Sequence, residues 1–395
     1  MKRIELLAPA GNLEKVKWAF MYGADAVYLG GRDYSLRANA DNLSIDEIKE
    51  ACDYAHNLGK KVYVTTNIVF HNEDFNGLEE YLKGLYNAGV DAVIVSDPSV
   101  ISLIKEVVPN LEIHISTQQN TLNYEVCNFW NEEGAKRVVL GRETSKEDML
   151  SILKNSNIDI EVFIQGAMCV SYSGRCVLSN YFTNRDANRG GCAQICRWDF
   201  DLIKDGKKID TDTKFTMCSK DLCMLREIPQ MIDIGICSLK VEGRMRSIYY
   251  VATVINTYRR AIDDYYKGIL NEEKIEYYIK VLNRVANRDS CPQFFNKFPE
   301  VFEQYFLGRE EVSNQDFLGI VDSYQDGYVS LISKNYFEPG WMVEIISPNK
   351  DIISFELPSI YDSDGKELDA SRHPEKIIKF NCLWCFGFRY YRVWE

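Results

Sequence analysis

Gly23-Ala24-Asp25-Ala26-Val27-Tyr28-Leu29 and Gly89-Val90-Asp91-Ala92-Val93-Ile94-Val95 are two copies of one phrase. A glycine that ends a helix is followed by a polar turn and a short apolar, partly β-branched run, which reads as a buried strand. Outward from these copies the same order recurs. Asn12 caps a helix whose Leu13, Val16 and Phe20 share a face, and Gly23 ends it. Ser44 and Glu47 make a capping box for a helix carrying Ile45, Ile48, Cys52 and Ala55, stopped at Gly59 before the strand Val62–Thr65. Leu78, Leu82 and Leu85 mark the helix that Gly89 ends. Strands at Ile113–Ile115, Arg137–Leu140 and Glu161–Ile164 continue the series. One near Ile4–Leu7 and one at Ser238–Lys240 bring it to about eight. Alternating strands and helices make a parallel sheet. Eight of them, with no glycine-rich dinucleotide fingerprint after the first strand, favour a closed barrel over an open sheet. The expected fold is α/β: a TIM-like (β/α)8 barrel with a cysteine-rich insertion, followed by a small C-terminal β-barrel domain.

The expected boundaries are a barrel over 1–270 with a metal-cluster insertion at about 166–223, a helical linker over 271–312, and a small β domain with an aromatic tail over 313–395. Residues 317–380 read as short strands separated by Asp326-Gly327, Pro339-Gly340 and Pro348-Asn349 turns. The tail holds Cys382 and Cys385, a lone CxxC, which is weak evidence for metal.

The chain has 395 residues, 46% hydrophobic and 26% charged, as a soluble globular protein does. Its start is neither a signal peptide nor a membrane span, so a cytoplasmic protein is expected. A net charge of −12 repels phosphate at long range. Locally the balance reverses: Cys169–Trp198 carries Arg175, Arg185, Arg189 and Arg197 against Asp186 alone.

Twelve cysteines in a reducing compartment are thiols, metal ligands or redox groups rather than disulfides. Cys52, Cys127, Cys237 and Cys291 read as small buried hydrophobes. Cys169-x6-Cys176-x15-Cys192-x3-Cys196 differs, because four thiols crowd an irregular, glycine-rich stretch after the seventh strand. The first pair is spaced too widely for a usual zinc site, which favours an iron–sulfur cluster, with arginines nearby to offset its charge. A four-cysteine zinc site and four unliganded thiols stay open. Either Cys218 or Cys223 could replace Cys196 as the fourth ligand.

The stretch from Glu161 to Ser179, with Gly166-Ala-Met-Cys169 and Gly174-Arg-Cys176 at its centre, resembles the signature of the collagenase-like peptidases, peptidase family U32. Leu7-Ala-Pro-Ala-Gly-Asn12, Gly23–Gly30 and Ser238-Leu-Lys-Val-Glu-Gly-Arg-Met-Arg-Ser247 match its other blocks, over about residues 2–270. Gly191-Cys-Ala-Gln-Ile-Cys-Arg-Trp198 and the β segment are most similar to the tRNA-hydroxylating branch. That resemblance implies oxygen-independent 5-hydroxylation of the tRNA wobble uridine, with prephenate as co-substrate and a [4Fe–4S] cluster on Cys169, Cys176, Cys192 and Cys196. It also implies a homo- or hetero-oligomer with a second family member. Sister branches imply 23S rRNA cytidine or ubiquinone hydroxylation.

Peptidase chemistry has little support in the residues, since neither HExxH nor GxSxG occurs. Barrel enzymes place substrate groups at the C-terminal ends of strands. Those positions hold Arg32 and Arg37, Asn67, Asp97, Thr117 and Gln118, Arg142 and Glu143, Gln165, then Glu242, Arg244 and Arg246. The candidate catalytic residues are Arg244, Glu242, Arg32, Gln118 and Arg142, because converging guanidinium groups suit a dicarboxylate such as prephenate. A different class of function is a non-catalytic RNA-binding protein with a structural metal site. There RNA would stack on Tyr172, Tyr181, Phe182 and Trp198 among the arginines.

Overall fold

The computed structural model describes residues 3–36, 41–209, 214–312, 316–348 and 350–382. The chain forms two compact units, Met1–Val312 and Ser313–Glu395. In the first, β1 (Glu5–Pro9), β2 (Ala26–Gly30), β3 (Lys61–Thr66), β4 (Ala92–Val95), β5 (Glu112–Ile115), β6 (Arg137–Val139), β7 (Asp159–Gly166) and β8 (Ser238–Val241) pair in sequence, all parallel. β8 pairs with both β7 and β1, which closes the barrel. Helices α1 (Leu13–Met21), α2 (Ile45–Asn57), α3 (Leu78–Asn87), α4 (Pro98–Val107), α5 (Tyr124–Glu132) and α6 (Lys146–Asn155) alternate with the strands. Their starts are set by local chemistry. Asn12 accepts from the Lys15 N–H, Ser44 and Glu47 form the expected capping box, and Asp97 caps α4 ahead of Pro98.

The repeated phrase has a structural meaning in both copies. Gly23 (φ 106°) and Gly89 (φ 87°) sit in the left-handed region, and a Cβ on Gly23 would lie 2.5 Å from Cγ of Arg259. The aspartate two residues on reaches back to the preceding strand. Asp25 accepts from the Leu6 N–H at 2.9 Å and Asp91 from the Val62 N–H at 2.8 Å, so each carboxylate satisfies a backbone donor at the start of a strand.

Every second strand residue points into the barrel, and one interior layer is ionic. Arg137 on β6 donates to Glu5 on β1 at 2.6 Å and to Glu161 on β7 at 2.9 Å, and Lys240 on β8 donates to Glu161 at 2.9 Å. Tyr63 and Ser238 add hydroxyl bonds to Glu5. Burial alone would raise the Glu161 carboxyl, but Lys240 and Arg137 overcome it and hold the group at about 2.

The insertion after β7 contains the short helix α7 (Leu178–Thr183) and a strand, Asp221–Cys223, antiparallel to the end of β7. Then come α8 (Ile228–Ile234), β8 and the long α9 (Ile248–Tyr266), largely buried. Within the stretch expected as a helical linker, 271–312, one α-helix is described, α10 (Glu272–Leu282). It packs within the first unit, burying Tyr278, Val281 and Leu282. Among the described residues no helix is long and apolar enough to cross a membrane.

The second unit is an antiparallel β domain. β9 (Gly319–Gln325), β10 (Tyr328–Ser333), β15 (Ile377–Asn381), β13 (Ile360–Tyr361) and β14 (Glu367–Leu368) form one sheet in that order; β11 (Met342–Ile345) and β12 (Ile353–Glu356) form a hairpin. Val329, Leu331, Phe355, Ile360, Ile378 and Phe380 make its own core. Cys382 ends the described chain, and Cys385 lies outside the described residues.

Candidate functional site

The cysteine-bearing segment is tied to three loops at the C-terminal ends of the strands. After β3, the Val69 N–H donates to the Asn188 carbonyl, while Arg189 donates to the Val69 carbonyl and forks onto Asp74. Beyond β5, the turn Thr117–Gln119 packs on Tyr172–Gly174. From the loop following β6, Glu143 accepts the Ser173 hydroxyl at 2.7 Å and its backbone N–H. These bonds hold Ser173 (φ 42°) in a left-handed conformation costly for a residue with a side chain, and so fix the bend between Cys169 and Cys176.

Cys169 and Cys192 are exposed, and Cys176 and Cys196 are partly buried. Cys176 is held by its backbone: Asn188 accepts its N–H at 3.2 Å and donates to its carbonyl at 3.0 Å. The Cys196 thiol is pushed up to about 11, first by burial and then by Cys169. Arg197 opposes this, and Cys218 and Cys192 add to it. Cys169 and Cys192, two of the other expected ligands, thus act on Cys196, as does buried Cys218. Among the described residues, no group of three or more His, Cys, Asp or Glu side chains has the spacing of a single-ion site. Cys169, Cys176, Cys192 and Cys196, with Arg197 acting on Cys196, are the residues that would hold an iron–sulfur cluster.

At the mouth, Arg244 is buried and donates to Ser35 (2.6 Å), Thr65 (3.1 Å) and Asn42 (2.6 Å). Gly30 is needed beneath it, because a Cβ there would lie 2.2 Å from a guanidinium nitrogen. Arg142 lies over the Phe163 ring, 4.0 Å from its centroid. Glu242 is partly buried, and its carbonyl accepts from Tyr250. Gln118 Oε1 and Asn67 Oδ1 are buried without a hydrogen-bond partner among the described residues.

Other positions do structural work or stand apart. Arg32 is exposed, 3.8 Å from Glu47, and Arg246 forks onto Glu311. Asp97 caps α4, Thr117 donates to the Leu140 carbonyl, and Gln165 accepts from Tyr258. Arg37 lies outside the described residues. Sequence reasoning passed over Lys240, Glu161 and Phe163. The signal for Lys240 and Glu161 was charge on inward-facing strand positions, which matters only once the barrel closes; Phe163 reads as an ordinary strand aromatic.

Chains similar to this one share nearly its whole length. A protein of Bacillus subtilis (strain 168) named tRNA hydroxylation protein P1 is 48% identical, over 96% of this chain and 92% of its own. The tRNA hydroxylation protein P of Escherichia coli (strain K12) is 32% identical, over 93% and 91%. The 23S rRNA 5-hydroxycytidine C2501 synthase of the same strain is 36% identical over 66% of this chain, but over only 39% of its own. Residues 11–304 match the model of peptidase family U32, and residues 313–386 match that family's C-terminal domain. With the barrel, its cysteine segment and the β domain all covered, the chain belongs to peptidase family U32.

Proposed function

We propose that this chain is an RNA-modifying enzyme that hydroxylates the wobble uridine of tRNA at C5 without oxygen, with prephenate as co-substrate. The observation that carries the tRNA hydroxylation in this reading is the 48% identity to a tRNA hydroxylation protein over nearly all of both chains. Cys169, Cys176, Cys192 and Cys196 would hold a [4Fe–4S] cluster beside the mouth, with Cys218 the nearest further thiol. When bound, such a cluster supplies a Lewis-acidic or electron-transferring iron centre. The protein's own groups position the reactants. Asn67 Oδ1 and Gln118 Oε1 suit the N–H of a pyrimidine, and Arg142 suits a carboxylate. Exposed Tyr172, Tyr181 and Phe182, with Arg175 and Arg185, give an RNA loop stacking faces and positive charge on an otherwise acidic protein. A peptidase mechanism lacks support from the histidines. His56, His71 and His114 pair with Asp91, Glu73 and Glu112, and the buried Cys52 near His56 has its thiol pushed up by burial, unlike an activated nucleophile.

The test is nucleoside analysis of tRNA from a strain lacking this gene. Loss of the hydroxylated uridine, restored by the wild-type gene and not by Cys176→Ala, is the expected result. Unchanged tRNA nucleosides would overturn the tRNA assignment. Protein purified without oxygen should contain about four irons and four sulfides, and colourless protein holding one zinc would make the cysteine site structural.

A further inference from the structure

We propose that Lys240 is a catalytic amine whose Nζ condenses with the keto group of a 2-oxo acid entering through the barrel mouth, with Arg142 receiving the acid's carboxylate. The tRNA assignment enters only in naming prephenate, itself a 2-oxo acid, as the occupant. Lys240 points into the barrel between the ionic layer and the mouth. Its Nζ is 2.9 Å from Glu161, 4.4 Å from the Tyr28 centroid and 5.4 Å from that of Phe163, whose ring also carries the Arg142 guanidinium at 4.0 Å. Phe163 is only partly buried although it points inward, while Lys240 beneath it is buried.

The backbone is irregular at this point. Lys240 pairs with Phe163 but Val241 pairs with Gln165, so the ladder skips Ile164. The Ile164 carbonyl instead accepts from Met224 N–H at 2.9 Å and Tyr258 hydroxyl at 3.0 Å. Such bulges re-aim side chains beside active sites. Burial lowers the pKa of Lys240 most; Glu161 pulls it back up, Arg137 and Arg142 lower it again, and the net shift is downward. That makes the ammonium easier to deprotonate to the nucleophilic amine.

The step balances without an oxidant or reductant. Lys240 passes a proton to Glu161 and its nitrogen pair attacks the keto carbon, while the carbonyl π pair moves to oxygen, which takes a second proton from the attacking nitrogen. The carbinolamine then loses that oxygen as water, with the proton returned by Glu161. Ketone and ammonium thus become iminium and water.

Full-length protein purified without oxygen is incubated with prephenate, or with pyruvate as a simpler probe, then reduced with cyanoborohydride and peptide-mapped. The expected result is a reduced adduct on Lys240, absent when lactate replaces the 2-oxo acid. Lys240→Arg, which keeps a cation against Glu161, should lose the adduct and at least about 100-fold of the tRNA hydroxylation. A merely structural lysine would let Lys240→Arg hydroxylate within about threefold of wild type, and that outcome overturns the proposal, as does wild-type protein with no adduct on Lys240. If Lys240→Arg does not fold, the wild-type map decides alone. An adduct on a protein that leaves tRNA unmodified supports the amine and overturns the tRNA assignment. Hydroxylated tRNA with no adduct overturns the amine and leaves that assignment standing.

Discussion

Glu161 is fully buried, yet ionised, because Arg137 and Lys240 both donate to it. Its carboxyl sits at about 2 against an ordinary 4.5, so on acidification the unfolded chain takes up the proton first. The resulting stabilisation is whole above pH 4.5 and is lost as the pH falls toward 2. It amounts to about 3 kcal/mol at neutral pH. Urea titrations at pH 6, 4.5 and 3 should show this decline in wild type and a flatter profile in Glu161→Gln. At pH 6 the variant should be less stable by about 3–5 kcal/mol, because buried Arg137 and Lys240 lose the carboxylate they both donate to. Arg244→Lys tests another buried cation. An ammonium cannot reach Ser35, Thr65 and Asn42 as the planar fork does, so a loss of about 2 kcal/mol is expected, read from the urea midpoint.

The capping box of α2 and the cysteine segment differ in what holds them. Ser44→Ala removes one helix cap and should cost about 1 kcal/mol in chemical denaturation, with function intact. The segment 169–197 depends on tertiary anchors at Glu143 and Asp74. Glu143→Gln keeps one acceptor for Ser173 but loses the charge, which weakens the left-handed bend. Limited proteolysis should then cut this segment faster, while the global unfolding midpoint stays within about 1 kcal/mol of wild type. The caps and the cysteine spacing were legible in the sequence because both are local patterns. The anchors were not, since Glu143 and Ser173 are thirty residues apart and meet only at the mouth of a closed barrel.

For the molecule as a whole, each unit has its own core. Phe380→Ala removes a buried ring from the β domain at a cost of about 3–5 kcal/mol. Scanning calorimetry should show the transition of that domain moving down while the barrel transition holds its position.

The order of strands and helices, the glycine stops, the caps and the cysteine spacing were determined by the sequence by itself, because each depends on residues within a turn or two of one another. The same pattern pointed to the barrel, since eight short apolar strands separated by amphipathic helices have few other ways to bury both faces. Only the tertiary structure decided which charges meet. Closure brings Glu5, Arg137, Glu161 and Lys240 from four strands into one largely buried interior, where a carboxylate stays ionised and burial lowers the pKa of a lysine. On the sequence, Lys240 is one alternating residue of a four-residue strand; its chemistry comes from low dielectric and neighbours more than seventy positions away.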